Sequence, residues 1–541
     1  MNEMNDNTYS NTAEAIGVLP PKKPGRLKLL IGVAALCAVA VVAVAVKTIS
    51  TRDPKATVEA AFTATAAQQK AATEKIYQKI PTAKRLFESG GGVARTTDFD
   101  FTIKSIEDNP YAPFANVILK DAGIRGSIAS DPAQKTAALN ASVYLKDAPM
   151  LEAYAFMSSE LIAAGVPTFS DTVVSLNPTS FARDYAGSAL GTVYPLDAPT
   201  LELAQGLIIG EMEYINAIGS ISSEKLQADM LPILKSALTN ATYTYDKQSK
   251  KYVVKIPNDD LKAAILDYYR YIYFDSELGA AIEKMMSPIA SATAPGQSYE
   301  DMINAVLSSI EEGLPEMDAV LALDIKNGLI KTANLTCTPV AADAASSDAA
   351  STPEELLPAQ STLTSLILDC SFGETANTAK LVLTTDDATS MTVDVSGLLE
   401  NDAYTLNMTA AVDSDYTTLN MPLTMRVAAD GAYAFSTDIT MDMGGQPVQA
   451  GVAFDGTAVL ENDVLTLQLP NSRVYGSATN TATGTLIFDL DCTSAPLTEA
   501  LTPSESTPLF TLNPQQLGQL GNEYSVGYES LVGQLFSLLM G

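Results

Sequence analysis

The chain has 541 residues, 47% of them apolar, with 63 acidic side chains against 33 basic ones and a formal charge of −30. That length allows several units of about 100–200 residues, and the apolar share can bury a sizeable core, while the charge excludes nucleic acid, whose binding needs basic surface to displace counterions. No histidine occurs, which removes Ser-His-Asp and Cys-His catalysis and His-liganded zinc and leaves any enzyme to carboxylates, Lys, Tyr or Ser-Lys pairs.

Residues 1–28 read as a polar cytoplasmic tail carrying Lys22, Lys23, Arg26 and Lys28. Leu29 to Val46 follow without a charge. As a helix these 18 residues measure about 27 Å, close to the hydrocarbon thickness of a bilayer. Basic residues on the N-terminal flank keep that side in the cytoplasm. The expectation is an uncleaved single-pass membrane anchor at 29–46 with everything from about Lys47 outside. Ala43-Val44-Ala45 fits a small-x-small cleavage site but lies inside the apolar run without a polar spacer. Cys37 follows Leu36 in mid-run, a poor setting for a lipidated cysteine.

Residues 47–92 are expected to form a helical stalk. Asp53-Pro54 reads as an N-cap with proline at the first helical position. Val58, Ala61, Phe62 and Ala66 recur at helical spacing, the helix runs to about Phe87, and Gly90-Gly91-Gly92 is its hinge. Residues 93–195 read as a first antiparallel meander. Phe99, Phe101 and Ile103 alternate with polar residues, as do Leu139, Ala141, Val143 and Leu145. Residues 196–315 read as a helical insert: Leu201–Ile218, Leu226–Leu238 with Pro232 inside, a hairpin at 241–256, and one helix from Asp260 to Met286. Ser298-x-x-Asp301 is a capping box for the last of these helices, and Gly313 is its stop.

Residues 316–497 read as a second meander, opened by Leu321, Leu323 and Ile325 and the hairpin turn Asn327-Gly328. Ala341–Gln360 is a low-complexity loop. Further strands carry Tyr404/Leu406/Met408/Ala410/Val412, Tyr433/Phe435, Ile439/Met441/Met443 and Leu465/Leu467/Leu469. Residues 498–541 close with an amphipathic helix after Asn513-Pro514, carrying Leu517, Leu520, Tyr524, Tyr528, Leu531 and Leu535. The fold class is therefore α+β: an N-terminal transmembrane helix, then a large antiparallel twisted or half-barrel sheet with helices packed on one face.

The order anchor, Arg52-Asp53-Pro54-x-x-x-Val58 helix, meander, helices, second meander resembles uncharacterised single-pass membrane-anchored extracytoplasmic proteins of Firmicutes. The hairpin rhythm of Leu151–Pro178 carries most of the likeness. Those proteins are in turn similar in layout to lipoprotein-carrier half-barrels, which hold lipid between sheet and helices. What the resemblance implies is layout and, by analogy, an apolar cavity; it transfers no functional residue.

No constellation for chemistry stands out. Ser222-x-x-Lys225 matches the nucleophile motif of penicillin-binding proteins, but K-T-G is absent and Ser175-x-Asn177 lies upstream, in the wrong order. The doublets Asp98/Asp100, Asp413/Asp415 and Asp489/Asp491 place carboxylates on one strand face, where they would flank calcium or act as an acid/base pair. None sits in a glycine-bearing calcium loop, and the plainer reading is a solvent face. The run Tyr268, Tyr269, Tyr271, Tyr273 and Phe274 reads as core packing or as a carbohydrate or lipid surface. Of four cysteines, Cys370 and Cys492 fall in phase with apolar strand faces and read as buried free thiols. The expected function is a non-enzymatic envelope protein partnered with the membrane through residues 29–46 and with an apolar, lipid-like ligand or envelope component, or acting as a structural module. It needs no cofactor and no metal. The alternative is a carboxylate-based envelope glycan hydrolase.

Overall fold

The computed structural model describes residues 53–87, 93–220, 223–293, 298–340, 363–415, 417–478 and 483–540. The anchor expected at 29–46, the hinge at 90–92 and the loop at 341–360 lie outside these residues. Among the described residues no helix is long and apolar enough to cross a membrane. Helix α1 (Pro54–Lys79) begins as its cap dictates, with the Asp53 carboxylate accepting from the Lys55 amide at 3.0 Å. It does not run to Phe87. Pro81 has no N–H to donate and forces Ile80 out of helical geometry, to φ −130° and ψ 77°, so a second helix α2 (Pro81–Phe87) starts there.

The first meander is β1 (Arg95–Glu107), β2 (Ala122–Asp131), β3 (Thr136–Leu145), β4 (Ala148–Met157), β5 (Ile162–Gly165) and β6 (Val174–Leu176), with α3 (Ala112–Leu119) between β1 and β2. The helical middle contains α4 (Phe181–Ala186), α5 (Ala189–Val193), α6 (Ala198–Ser220), α7 (Ser223–Ala237), α8 (Asn258–Arg270), α9 (Glu277–Thr293) and α10 (Tyr299–Gly313), with β7 (Thr242–Asp246) and β8 (Lys251–Ile256) between α7 and α8. The single helix expected from Asp260 to Met286 is broken. One π turn, Tyr271–Asp275, closes with the Ser276 amide on the Tyr271 carbonyl at 2.8 Å, and the Ser276 hydroxyl then accepts from the Gly279 amide at 2.8 Å to cap α9.

The second meander runs β9 (Met317–Lys326), β10 (Leu329–Pro339), β11 (Leu363–Phe372), β12 (Ala376–Thr385), β13 (Ser390–Glu400), β14 (Ala403–Asp413), β15 (Thr417–Ala428), β16 (Ala432–Met443), β17 (Pro447–Glu461), β18 (Val464–Ala478) and β19 (Gly484–Pro496). A two-residue strand β20 (Thr507–Pro508) and helix α11 (Pro514–Met540) end the chain. Tight turns with two consecutive positive φ values join many strands, at Asn327-Gly328, Asn401-Asp402, Asn462-Asp463 and Lys146-Asp147.

All 20 strands among the described residues belong to one open sheet. From edge to edge the pairing runs β7-β8-β9 and on in sequence to β19, then β1 to β6 and β20; among these described strands only the short β6–β20 pair is parallel. The two meanders are therefore one sheet, joined where β1 lies antiparallel to β19 with Phe99 opposite Cys492 and Phe101 opposite Leu490. The hairpin β7–β8 is not separate from it, since β8 pairs with β9.

One face is mainly apolar, with polar exceptions such as Thr437 of β16 opposite Leu423. A single cross-strand row reads Leu323, Ala333, Cys370, Ala379, Val395, Met408, Leu423 from β9 to β15. Over β8–β12 this face is sealed by α1, α8 and α10 in the main core, where Val58, Phe62, Ile265, Leu307, Leu323, Leu366 and Leu383 are buried. The aromatic run packs as core here: Tyr269 is buried, Tyr268, Tyr273 and Phe274 lie against the cluster, and Phe274 meets Tyr299 edge-on with centroids 6.1 Å apart.

The sheet curls. Glu213 on α6 takes Lys284 of α9 at 3.2 Å and Lys135 of the β2–β3 turn at 3.3 Å, and α9 itself packs through Ile282 and Met286 on the core over β9. Strand β2 lies twelve pairings from β9, about 58 Å along a flat sheet. Two helices span about 20 Å. Only a strongly coiled sheet lets one helical layer touch both places.

Candidate functional site

Beyond β13 the apolar face continues, but the described helices no longer seal it. Its walls follow from strict alternation: Val395, Met408 and Leu423 in one row, Gly397, Leu406 and Met425 in the next. A line of four phenylalanines crosses the floor. Phe435 lies 5.7 Å from Phe454, Phe454 lies 6.0 Å from Phe488, and Phe488 lies 4.7 Å from Phe101, all between ring centroids. Phe488 is buried and the other three are half-buried. Toward the far end Ile124 is 41% exposed, Ile128 50% and Val143 39%, with Ile124 directly opposite Val143.

Helices border this trough. Helix α1 runs along one rim, across successive strand ends. Thr65 accepts from the Ile330 amide at 2.8 Å, Gln69 donates to the Gly373 carbonyl at 3.1 Å, and Lys79 pairs with Asp402. Ile80 and Ala83 then close over Val427, with Tyr404 and Tyr433 beside them. At the opposite end Leu531 of α11 packs on Ala122, Leu145 and Met150.

The carboxylates gather elsewhere. Two of the three doublets come together on the outer face, because β1 and β19 are neighbours: Asp100 lies opposite Asp491, and Asp489 opposite Thr102. The sequence spacing could not show this, since the two strands are almost 400 residues apart. The group is partnered by cations and hydroxyls. Asp489 pairs with Lys104 at 2.8 Å, and Asp100 accepts from Tyr144 at 2.7 Å, whose ring lies 4.3 Å under Arg125. Asp413 ends β14 and Asp415 lies in the following turn, apart from them. Among the described residues no set of three His, Cys, Asp or Glu side chains could hold a metal ion.

Titration points the same way. The carboxylates Asp184, Asp197, Glu213, Asp246, Asp301, Asp489 and Glu523 each move below the ordinary range. For Asp489 burial pushes up, but the Lys104 ammonium and the Asn471 amide more than offset it.

Of the other singled-out residues, Ser222 lies outside the described residues. Tyr271 turns away from the core and donates to Asp229 at 2.8 Å. Cys337, Cys370 and Cys492 are free thiols. Cys337 and Cys370 are buried, and burial pushes their thiols up to about 12 and about 11. Cys492 is only half-buried, because its strand lies in the unsealed part of the apolar face.

No protein-family model matches the chain, and no curated protein does. Among solved structures the chain is similar to Wzi of Escherichia coli, described as a carbohydrate-binding β-barrel of the outer membrane involved in group 1 capsule assembly. The two are 7% identical, the match covers 87% of this chain and 98% of that one, and the TM-score is 0.23. It is also similar to OccK7 (OpdD) of Pseudomonas aeruginosa, at 6% identity over 74% of this chain and 98% of that one, with a TM-score of 0.17. Scores this low carry neither a fold nor a function from those proteins to this one.

Proposed function

We propose that the protein is a non-enzymatic binding module of the cell envelope, tethered through residues 29–46 to the cytoplasmic membrane with its described part outside. Its ligand is an acyl-chain amphiphile lying in the trough. The observation that carries this reading is the apolar face beyond β13, floored by four phenylalanines and flanked by helices at its ends. Supporting it against a glycan hydrolase, the paired carboxylates of β1 and β19 stand on the outer face, where the Lys104 ammonium and the Asn471 amide hold Asp489 low. A hydrolase needs two of them facing each other across a cleft, one with a raised pKa.

The test is fluorescence titration of the folded chain with an acyl-chain probe. Burying ~600 Å² of a long acyl chain at about 25 cal/mol per Å² contributes about 15 kcal/mol, which leaves about 8 kcal/mol, micromolar binding, after association costs of about 7 kcal/mol. Met408→Asp puts a carboxylate on the trough wall and should weaken binding; Met408→Leu keeps the wall apolar and should not. A buried unpaired carboxylate also costs the fold a few kcal/mol, so both variants are compared on folded material. Absence of probe binding at micromolar protein refutes the ligand. Protease added to intact protoplasts should digest the described part and leave a membrane-bound stub; a mature N-terminus near Val46 in the medium refutes the tether.

A further inference from the structure

A second pocket, of about 350 Å³, lies between the first turns of α1, the end of α7 and the edge strand β7. That is the lower end of the range for small-molecule sites. Val58, Phe62, Leu238 and the ring of Tyr243 give it an apolar lining, and Val58 and Phe62 are fixed in the main core. Lys55 and Lys235 also line it. In a chain with nearly twice as many acids as bases, neither ammonium has a carboxylate within ion-pair distance among the described residues. Lys55 instead stands 5.7 Å from the Tyr243 ring centroid, a weak attraction that aims its charge over the pocket. Glu59 is the one acid in the lining, which leaves a net positive charge. Burial and the Glu59 carboxylate push the Tyr243 phenol up, so it keeps its proton and remains a donor.

We propose that this pocket binds the anionic end of an amphiphile, the head group between Lys55 and Lys235 and the first carbons of its chain against Val58, Phe62, Leu238 and Tyr243. The site is separate from the trough and does not depend on it. Lys55 is nine residues beyond Val46, so on the tether reading it stays within about 32 Å of the membrane surface. Bilayer lipid and a soluble amphiphile are then both within reach as sources of the head group.

The test is competitive amine labelling of the full chain in a non-ionic detergent, read lysine by lysine by mass spectrometry. Octyl phosphate should slow labelling of Lys55 and Lys235 several-fold and leave exposed lysines elsewhere, such as Lys70 and Lys120, unchanged. Octyltrimethylammonium should protect neither. Lys235→Gln should abolish the protection of Lys55, and the trough variant Met408→Asp should keep it, so failure of the trough and failure of this pocket are distinguishable. Leu238→Asn tests the chain contact by reducing protection on folded protein. Equal protection by inorganic phosphate overturns the amphiphile, and uniform or absent protection overturns the site. In bilayer discs without octyl phosphate, protection that appears only with anionic lipid assigns the head group to the membrane; its absence there assigns a soluble amphiphile.

Discussion

Thr65 is the most direct test of how α1 is fastened to the sheet. In the hairpin β9–β10 the closing pair is Lys326 and Leu329, so the next pair, Ile325 and Ile330, turns its amides outward. Pairing of β10 with β11 begins only at Thr332. The Ile330 amide therefore has no strand partner, and the buried Thr65 hydroxyl supplies one at 2.8 Å. Thr65→Val keeps the shape and the β-branched helix propensity but removes the acceptor. Leaving a buried N–H unpaired costs about 1–3 kcal/mol. Thr65→Ser keeps the acceptor and loses one methyl, worth about 0.8 kcal/mol. Hydrogen exchange separates the two at the amide itself. In Thr65→Val the Ile330 amide should exchange roughly 5- to 30-fold faster for each one or two kcal/mol lost, and in Thr65→Ser it should stay protected against local opening. Unchanged protection of Ile330 in a folded Thr65→Val chain would refute this account of the rim.

The Glu213 clasp should loosen in acid. Burial pushes its carboxyl up, but Lys284 and Lys135 more than offset this, so its folded pKa is depressed and its contribution, present above the unfolded pKa, is lost as pH falls through the folded one. With both lysines half exposed, Glu213→Gln should cost about 1 kcal/mol or less at pH 7 and flatten the acid limb of a stability-against-pH curve; an unchanged acid limb speaks against the clasp. In α11, Gly518 faces open space, whereas a Cβ on Gly527 would sit 2.7 Å from Phe169 Cα. Gly518→Ala should therefore stabilise by about 0.5–1 kcal/mol, and Gly527→Ala should destabilise the docked helix in thermal unfolding; the reverse order would mean that the helix is not seated there. Thiol alkylation of native protein should run Cys492 first, then Cys370, then Cys337, and a denaturant should make all three fast. Early labelling of Cys337 would contradict its burial.

What was readable in the sequence was local. The Asp53 cap, the Ser298 capping box, the Asn327-Gly328 turn and the alternation of Leu406, Met408 and Ala410 each act over a few residues, and each is present. The break at Pro81 was equally readable, from a residue whose chemistry forbids helical geometry before it. The π turn was not, because its one-residue insertion shifts the apolar stripe by a single position, which the width of an amphipathic face hides. Nor was the adjacency of β1 and β19, since alternation fixes which face a strand buries and says nothing about which strand it meets. For the same reason the trough is half legible. Its apolar residues stand out one strand at a time, but the line Phe435, Phe454, Phe488, Phe101 exists only once the order of strands is known.

The joint between the meanders sets a timetable. Strands β9 to β19 each pair with the strand just made, but β1 meets β19 across 378 residues, the separation of Glu107 from Thr485. At synthesis rates of about 5–20 residues per second, β1 waits roughly 20–80 s for its partner. Throughout that interval the hairpins built on β1, β2 and β3 present a free edge, which invites pairing with another chain. The edge they offer is β1, and it carries Asp98, Asp100, Lys104 and Glu107. Charges that later face outward on the finished sheet thus serve a nascent chain as a guard against the wrong neighbour until β19 arrives.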